Sequence, residues 1–162
     1  MAFTVFISYS TKDIKLVDNI RRALVQYPAQ LVHPYVAEYD AAPGARLDEN
    51  IKKHLLASDM VCVLWSKNAQ KSDWVPQEIG IAEAAGKLIV PIVLDKGLQL
   101  PGFIKDRKYI PAYDGLEMAM GAFSKLVLVH ATEKAVKNAK DKDALVLLGL
   151  GAVLLLVLAS GD

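Results

Sequence analysis

Four short runs limit what this chain can become: "FTVFISY" (3–9), "LVHPYVAEY" (31–39), "MVCVLWS" (60–66) and "KLIVPIVLD" (87–95). Runs this short, rich in apolar and β-branched residues, suit strands buried on both faces. Segments of helical period lie between them. Ile14, Val17, Ile20, Leu24 and Val25 keep helical spacing behind Asp13, a residue able to cap that helix. Residues 47–58 set Leu47, Ile51, Leu55 and Leu56 along one side of a second helix. A third is expected after Ser72 or Asp73, with Pro76 in its first turn and Gly86 ending it. Residues 108–110 suit a short fifth strand, and Asp114 with Glu117 opens a last helix running to about residue 140. Pro34 points to an edge position for the second strand, Pro91 interrupts the fourth, and "KNAQK" reads as loop. Strands alternating with helices imply right-handed crossovers and a mainly parallel α/β sheet of about five strands, with helices on both faces.

Composition matters at the C-terminal end. Residues 144–160, "ALVLLGLGAVLLLVLAS", are Ala, Val and Leu apart from Gly149, Gly151 and Ser160. As a helix these residues span roughly 25 Å, near the short limit for crossing a bilayer. Lys134, Lys137, Lys140 and Lys142 precede them, and positive flanks stay on the cytoplasmic side. The expectation is a folded domain over 1–140 and a hydrophobic tail over 141–162. The tail would anchor the domain to the cell membrane as a single-pass transmembrane helix, with the domain in the cytoplasm. The competing reading buries that helix in an oligomer. The opening "MAFTVFISYS" has no basic region and no small-residue cleavage site, so a signal peptide is not expected.

The formal net charge of +1 and the lack of a Lys/Arg run give no electrostatic reason to expect nucleic acid. The single cysteine, Cys62, lies in an apolar run and reads as a small buried hydrophobe. No nucleophile elbow, zinc-protease helix, P-loop or dinucleotide fingerprint is present. His33, His54 and His130 are scattered, with His54 on a solvated helix surface, and no metal site is expected. In an open parallel sheet, ligands bind beyond the carboxyl ends of the strands. Ser8, Tyr9 and Ser10, the loop 40–46 and the segment from Trp65 to Glu78 fall at those ends. A phosphoacceptor protein would want acids after the first and third strands, where Tyr9-Ser10 and Trp65-Ser66 stand instead.

The blocks "VFISYSTKD", "YDAAPGARL", "VCVLWSKNAQKSDWVPQEIG" and "GKLIVPIVLD" occur in an order and spacing that resemble the Toll/interleukin-1 receptor (TIR) domain, over about residues 3–138. That resemblance implies a flavodoxin-like sheet. The stretch from Asp73 to Ile79 is similar to the NAD-cleaving branch of the family, which has a glutamate at the position of Glu78. The resemblance therefore implies that NAD+ is a substrate rather than a cofactor. It would be cleaved to nicotinamide and ADP-ribose or a cyclic isomer, in prokaryotic immune signalling against phage. The alternative is a non-catalytic TIR–TIR scaffold at the membrane.

Physical chemistry supports a role for one carboxylate in such a reaction. Breaking an N-glycosidic bond develops oxocarbenium character on the ribose, which a fixed carboxylate stabilises. Nicotinamide leaves as a neutral ring, so no strong acid is needed. In isolation, Glu78 would simply complement a helix dipole, which favours its ionised form. Trp74, one turn earlier, could stack on a ligand ring or pack. Ser8, Tyr9 and Ser10 are further substrate-contact candidates. Tyr39, Pro43, Gly44 and Arg46 match the long loop after the second strand, which contacts neighbouring domains in TIR assemblies and implies homo-oligomers. Arg46 suits a diphosphate or a solvated surface equally. The family's animal enzyme has an arginine where this chain has Ser10.

Overall fold

A computed structural model describes residues 1–27, 31–37 and 49–138. The strands are β1 (Phe3–Ser8), β2 (Val32–Val36), β3 (Met60–Trp65), β4 (Leu88–Val93) and β5 (Ile110–Pro111). The helices are α1 (Ile14–Val25), α2 (Glu49–Ala57), α3 (Lys67–Gln70), α4 (Val75–Ala84) and α5 (Leu116–Asn138). All strand pairs are parallel, in the order β2-β1-β3-β4-β5.

Period-two alternation divides the interior into two cores. Phe3, Val5 and Ile7 of β1, Met60, Cys62 and Leu64 of β3, and Val90 and Ile92 of β4 pack with α1 and α5. Phe6, Val61, Val63, Trp65, Ile89 and Val93 point the other way, onto α2, α3 and α4. Each central strand is therefore apolar on both faces, as expected where crossover helices cover both sides.

Several local expectations change. The sequence reading of "KNAQK" as loop gives way to the one-turn helix α3, because the Ser66 hydroxyl accepts the Ala69 N–H at 2.9 Å and caps it. Pro91 does not interrupt β4. Leu94 N–H bonds to Trp65 O on β3, and Val93 O accepts from Ala112 on the β5 side. By alternation the Pro91 nitrogen faces the β5 side, where pairing starts only at Ile92. Pro34 does lie on an edge strand. The fifth strand is Ile110–Pro111 rather than 108–110. Helix α5 starts at Leu116, and Gly115 O accepts the Ala119 N–H, so Gly115 stands where Asp114 was expected to cap. Gly86 ends α4 with a φ of 63°, the left-handed conformation expected of it.

Val17, Ile20 and Leu24 are the buried positions of α1, while Ile14 and Val25 are exposed, and so is Leu56 of α2. His54 is not simply solvated: its ring stacks on Tyr35 with centroids 4.1 Å apart, and its Nδ1 lies 2.8 Å from Asn50 O. At the N-terminal edge of the sheet, Lys134 Nζ bonds to Asp59 Oδ2 at 2.7 Å and to Ala2 O at 3.0 Å, fixing the end of α5 there. Among the described residues no helix is long and apolar enough to cross a membrane. The run 144–160 lies outside them.

Phe123 is fully buried where α5 meets the sheet. Phe123→Ala is expected to lower unfolding free energy by about 3–5 kcal/mol in urea titrations. Full burial raises the Cys62 thiol pKa by desolvation. Folded protein at about pH 8 should therefore resist iodoacetamide for far longer than the urea-unfolded chain, with labelling followed by mass.

Candidate functional site

The first carboxyl-end residue of interest is Ser8, the last residue of β1. It follows Phe6 by two, so alternation turns it toward the α4 side of the sheet. Helix α4 turns Val75, Glu78, Ile79 and Ala82 inward, a spacing of three, four and seven. Glu78 therefore stands in the middle of the stripe that packs on the sheet and has 0% exposure. It is not a surface residue at a helix end. A carboxyl group buried this way must find hydrogen bonds inside the protein. The Ser8 hydroxyl donates to Glu78 Oε2 at 2.5 Å, a length typical of hydroxyl-to-carboxylate bonds.

A second buried carboxylate lies on the same edge. Asp13 occupies the cap position of α1, yet its side chain makes no capping hydrogen bond there. Instead Asp13 Oδ2 accepts from the Ser66 hydroxyl at 2.5 Å, and Oδ1 accepts from Asn68 Nδ2 at 2.7 Å. This ties the turn after β1 to the turn after β3. The helix-cap expectation hid this role, because the partners lie more than fifty positions away. Around the end of β3, Trp65 Nε1 donates to Gln99 O at 2.9 Å and Lys67 N–H donates to Asp95 Oδ2 at 2.9 Å.

The other expected site residues separate. Tyr9 packs in the core on the opposite face of the sheet from Glu78, and its hydroxyl donates to Ala37 O at 2.9 Å. Ser10 is 6% exposed, with extended backbone angles. Trp74 precedes α4 as its cap residue, half-buried, and its carbonyl accepts the Glu78 N–H at 2.9 Å. No side chain caps α4 in the standard way; the Ser72 hydroxyl accepts the N–H groups of Trp74 and Val75 at 3.2 and 3.4 Å. Tyr39, Pro43, Gly44 and Arg46 lie outside the described residues. Among the described residues no cluster of three or more His, Cys, Asp or Glu could hold a metal ion.

The arrangement can hold a carboxylate rigidly beneath the carboxyl edge where β1 and β3 diverge, the switch point of this strand order. Asp13→Ala would leave Ser66 and Asn68 without their shared acceptor and is expected to cost about 1–3 kcal/mol in urea unfolding. The same change at exposed Asp18 should stay within about 0.5 kcal/mol.

A TIR-domain family model matches residues 5–127. The TIR domain of the Toll-related receptor TRR-2 from Hydra magnipapillata is similar in structure. Its TM-score is 0.55 at 22% identity, over 76% of this chain and 96% of that domain. A 2-desoxiribosyltransferase from Leishmania mexicana aligns at TM-score 0.46 and 16% identity, over 75% of this chain and 97% of that one. A conserved protein from Enterococcus faecalis aligns at 0.41 and 16%, over 93% and 88%. No curated protein matches the chain significantly. The family model spans most of the chain, from within β1 to α5, and so takes in the greater part of the five-stranded sheet; the chain belongs to the TIR-domain family.

Proposed function

We propose that this TIR domain is an NAD+ nucleosidase with Glu78 as its catalytic carboxylate. One observation carries the reading: the Glu78 carboxyl group is built into the interior at the switch point, fixed to Ser8 at 2.5 Å, instead of resting on the surface. Transition-state charge is stabilised best by groups already in place, in surroundings that exclude water. In the reaction the bond between ribose C1′ and the nicotinamide nitrogen breaks, and its electron pair leaves with the neutral ring. The oxocarbenium carbon is then captured by water, giving ADP-ribose and a proton, or by a nucleophile of the adenylate portion, giving a cyclic isomer. Glu78 supplies the negative charge facing that carbon. Because Glu78 has no exposed surface, the ribose reaches it only when the wall around it parts. Half-buried Trp74, one turn along the same helix, is the aromatic surface we assign to a ligand ring.

The proposal extends to assembly and place. Self-association through TIR–TIR contacts is general in the family, and we assign Pro43 and Gly44 to such a contact, with Tyr39 and Arg46 toward substrate. The apolar run 144–160 is proposed as a membrane anchor for a cytoplasmic domain in prokaryotic immune signalling. Lys134 fixes α5 at the N-terminal edge of the sheet, opposite Glu78.

A second reading has its own observation. Complete enclosure of Glu78 is also what a purely structural tie between β1 and α4 would show, in a domain that only recruits other TIR domains. Full-length protein in detergent or lipid, incubated with NAD+, separates the two. The enzyme is expected to release nicotinamide. Glu78→Gln and Glu78→Ala, checked for folding by thermal melts, should lose roughly 100-fold or more in kcat. A folded, concentrated wild type without turnover, or a fully active Glu78→Gln, leaves the scaffold.

A further inference from the structure

Two serines stand two residues apart at the end of β1, and the structure uses their hydroxyls differently. The Ser8 hydroxyl donates to Glu78 Oε2, and both residues have 0% exposure. Ser10 is only 6% exposed as a residue, yet its hydroxyl makes no hydrogen bond among the described residues and does not cap the short 3₁₀ turn Thr11–Asp13 that follows it. Its oxygen is not among the fully buried side-chain atoms left without a partner, so the hydroxyl keeps contact with the surface, where a ligand can reach it. The backbone around it is held. Ser10 O accepts the Asp13 N–H at 2.7 Å, and Asp13 is fixed to Ser66 and Asn68. The intervening Tyr9 is fixed to Ala37 O. Ser10 therefore sits between two anchored neighbours, with its own hydroxyl unpaired among the described residues.

We infer that the pair divides two tasks in the NAD+ reaction proposed above, on which this assignment rests. Ser8 is a positioning residue that acts through Glu78, and Ser10 is a substrate contact. Ser8 reaches the reaction only by holding the carboxylate in one rotamer and by bonding to its charged form. Its loss should therefore affect the chemical step more than binding. Ser10 offers a hydroxyl that can donate to a phosphate or ribose oxygen of the substrate. Its loss should weaken ground-state and transition-state binding equally, which raises KM and spares kcat. The sequence "SYS" carries no such distinction, since both serines read as loop or substrate groups there.

The test is steady-state kinetics of nicotinamide release from NAD+ by full-length protein, with active concentration corrected for the folded fraction. Ser8→Ala is expected to lower kcat roughly 10- to 100-fold, the effect of removing a hydrogen bond to a charged group, with KM within about twofold. Ser8→Cys, near in size but a weak donor, should fall between wild type and Ser8→Ala, and it carries the same test if the alanine variant does not fold. Ser10→Ala should raise KM about 3- to 10-fold with kcat within about twofold. Wild-type kcat in Ser8→Ala, or a kcat loss in Ser10→Ala equal to that of Ser8→Ala, overturns this division while leaving the enzyme reading intact. Absence of turnover in wild type overturns both.

Discussion

Every residue of β3 is buried, and the rest of the molecule follows from enclosing that strand on both faces. An all-parallel sheet cannot leave one side to water in the way a hairpin sheet can, so helices must cover both faces. Odd and even positions of β1, β3 and β4 feed two separate cores. At the carboxyl edge β1 and β3 give way to turns that lead into the next helices. Backbone and side-chain polar groups there must pair with one another, with water or with a ligand. Most of the paired groups on this edge are structural for that reason. Ser66 caps α3 and donates to Asp13, Asp95 holds the Lys67 N–H, and Gln99 O accepts from Trp65.

The turn after β1 is where these constraints meet. Within six residues, Ser8 reaches α4, Tyr9 reaches the end of β2, and Asp13 reaches the turn after β3. Two buried carboxylates accept hydrogen bonds here, Glu78 from the Ser8 hydroxyl and Asp13 from Ser66 and Asn68.

Membership of the TIR family fixes the architecture but not the chemistry, because one fold hosts catalytic and recruiting domains alike. At 22% identity, likeness to the Hydra receptor domain speaks to the fold alone. The case for catalysis is local to Glu78 and its surroundings. The same packing that fixes the Glu78 carboxyl group leaves it with no exposed surface.

Much of the fold was legible in the sequence because buried strands and amphipathic helices leave periodic patterns. The four long strands, the edge position of β2, and the end of α4 at Gly86 could all be read this way. The order of the blocks made the family recognisable. Tertiary structure decided what periodicity cannot reach. Pro91 stays inside β4 because of which neighbour its nitrogen faces, and Asp13 leaves its cap role for partners on a distant turn. Glu78 read alone as a dipole residue in a first helical turn. Its place between Val75, Ile79 and Ala82 was visible in the sequence, and only packing showed that this stripe is the one pressed onto the sheet. The sequence determines which side chains share a face, because that depends on local backbone geometry. Which hydroxyl meets which carboxylate depends on contacts between residues as far apart as Ser8 and Glu78, and only the folded chain brings those together.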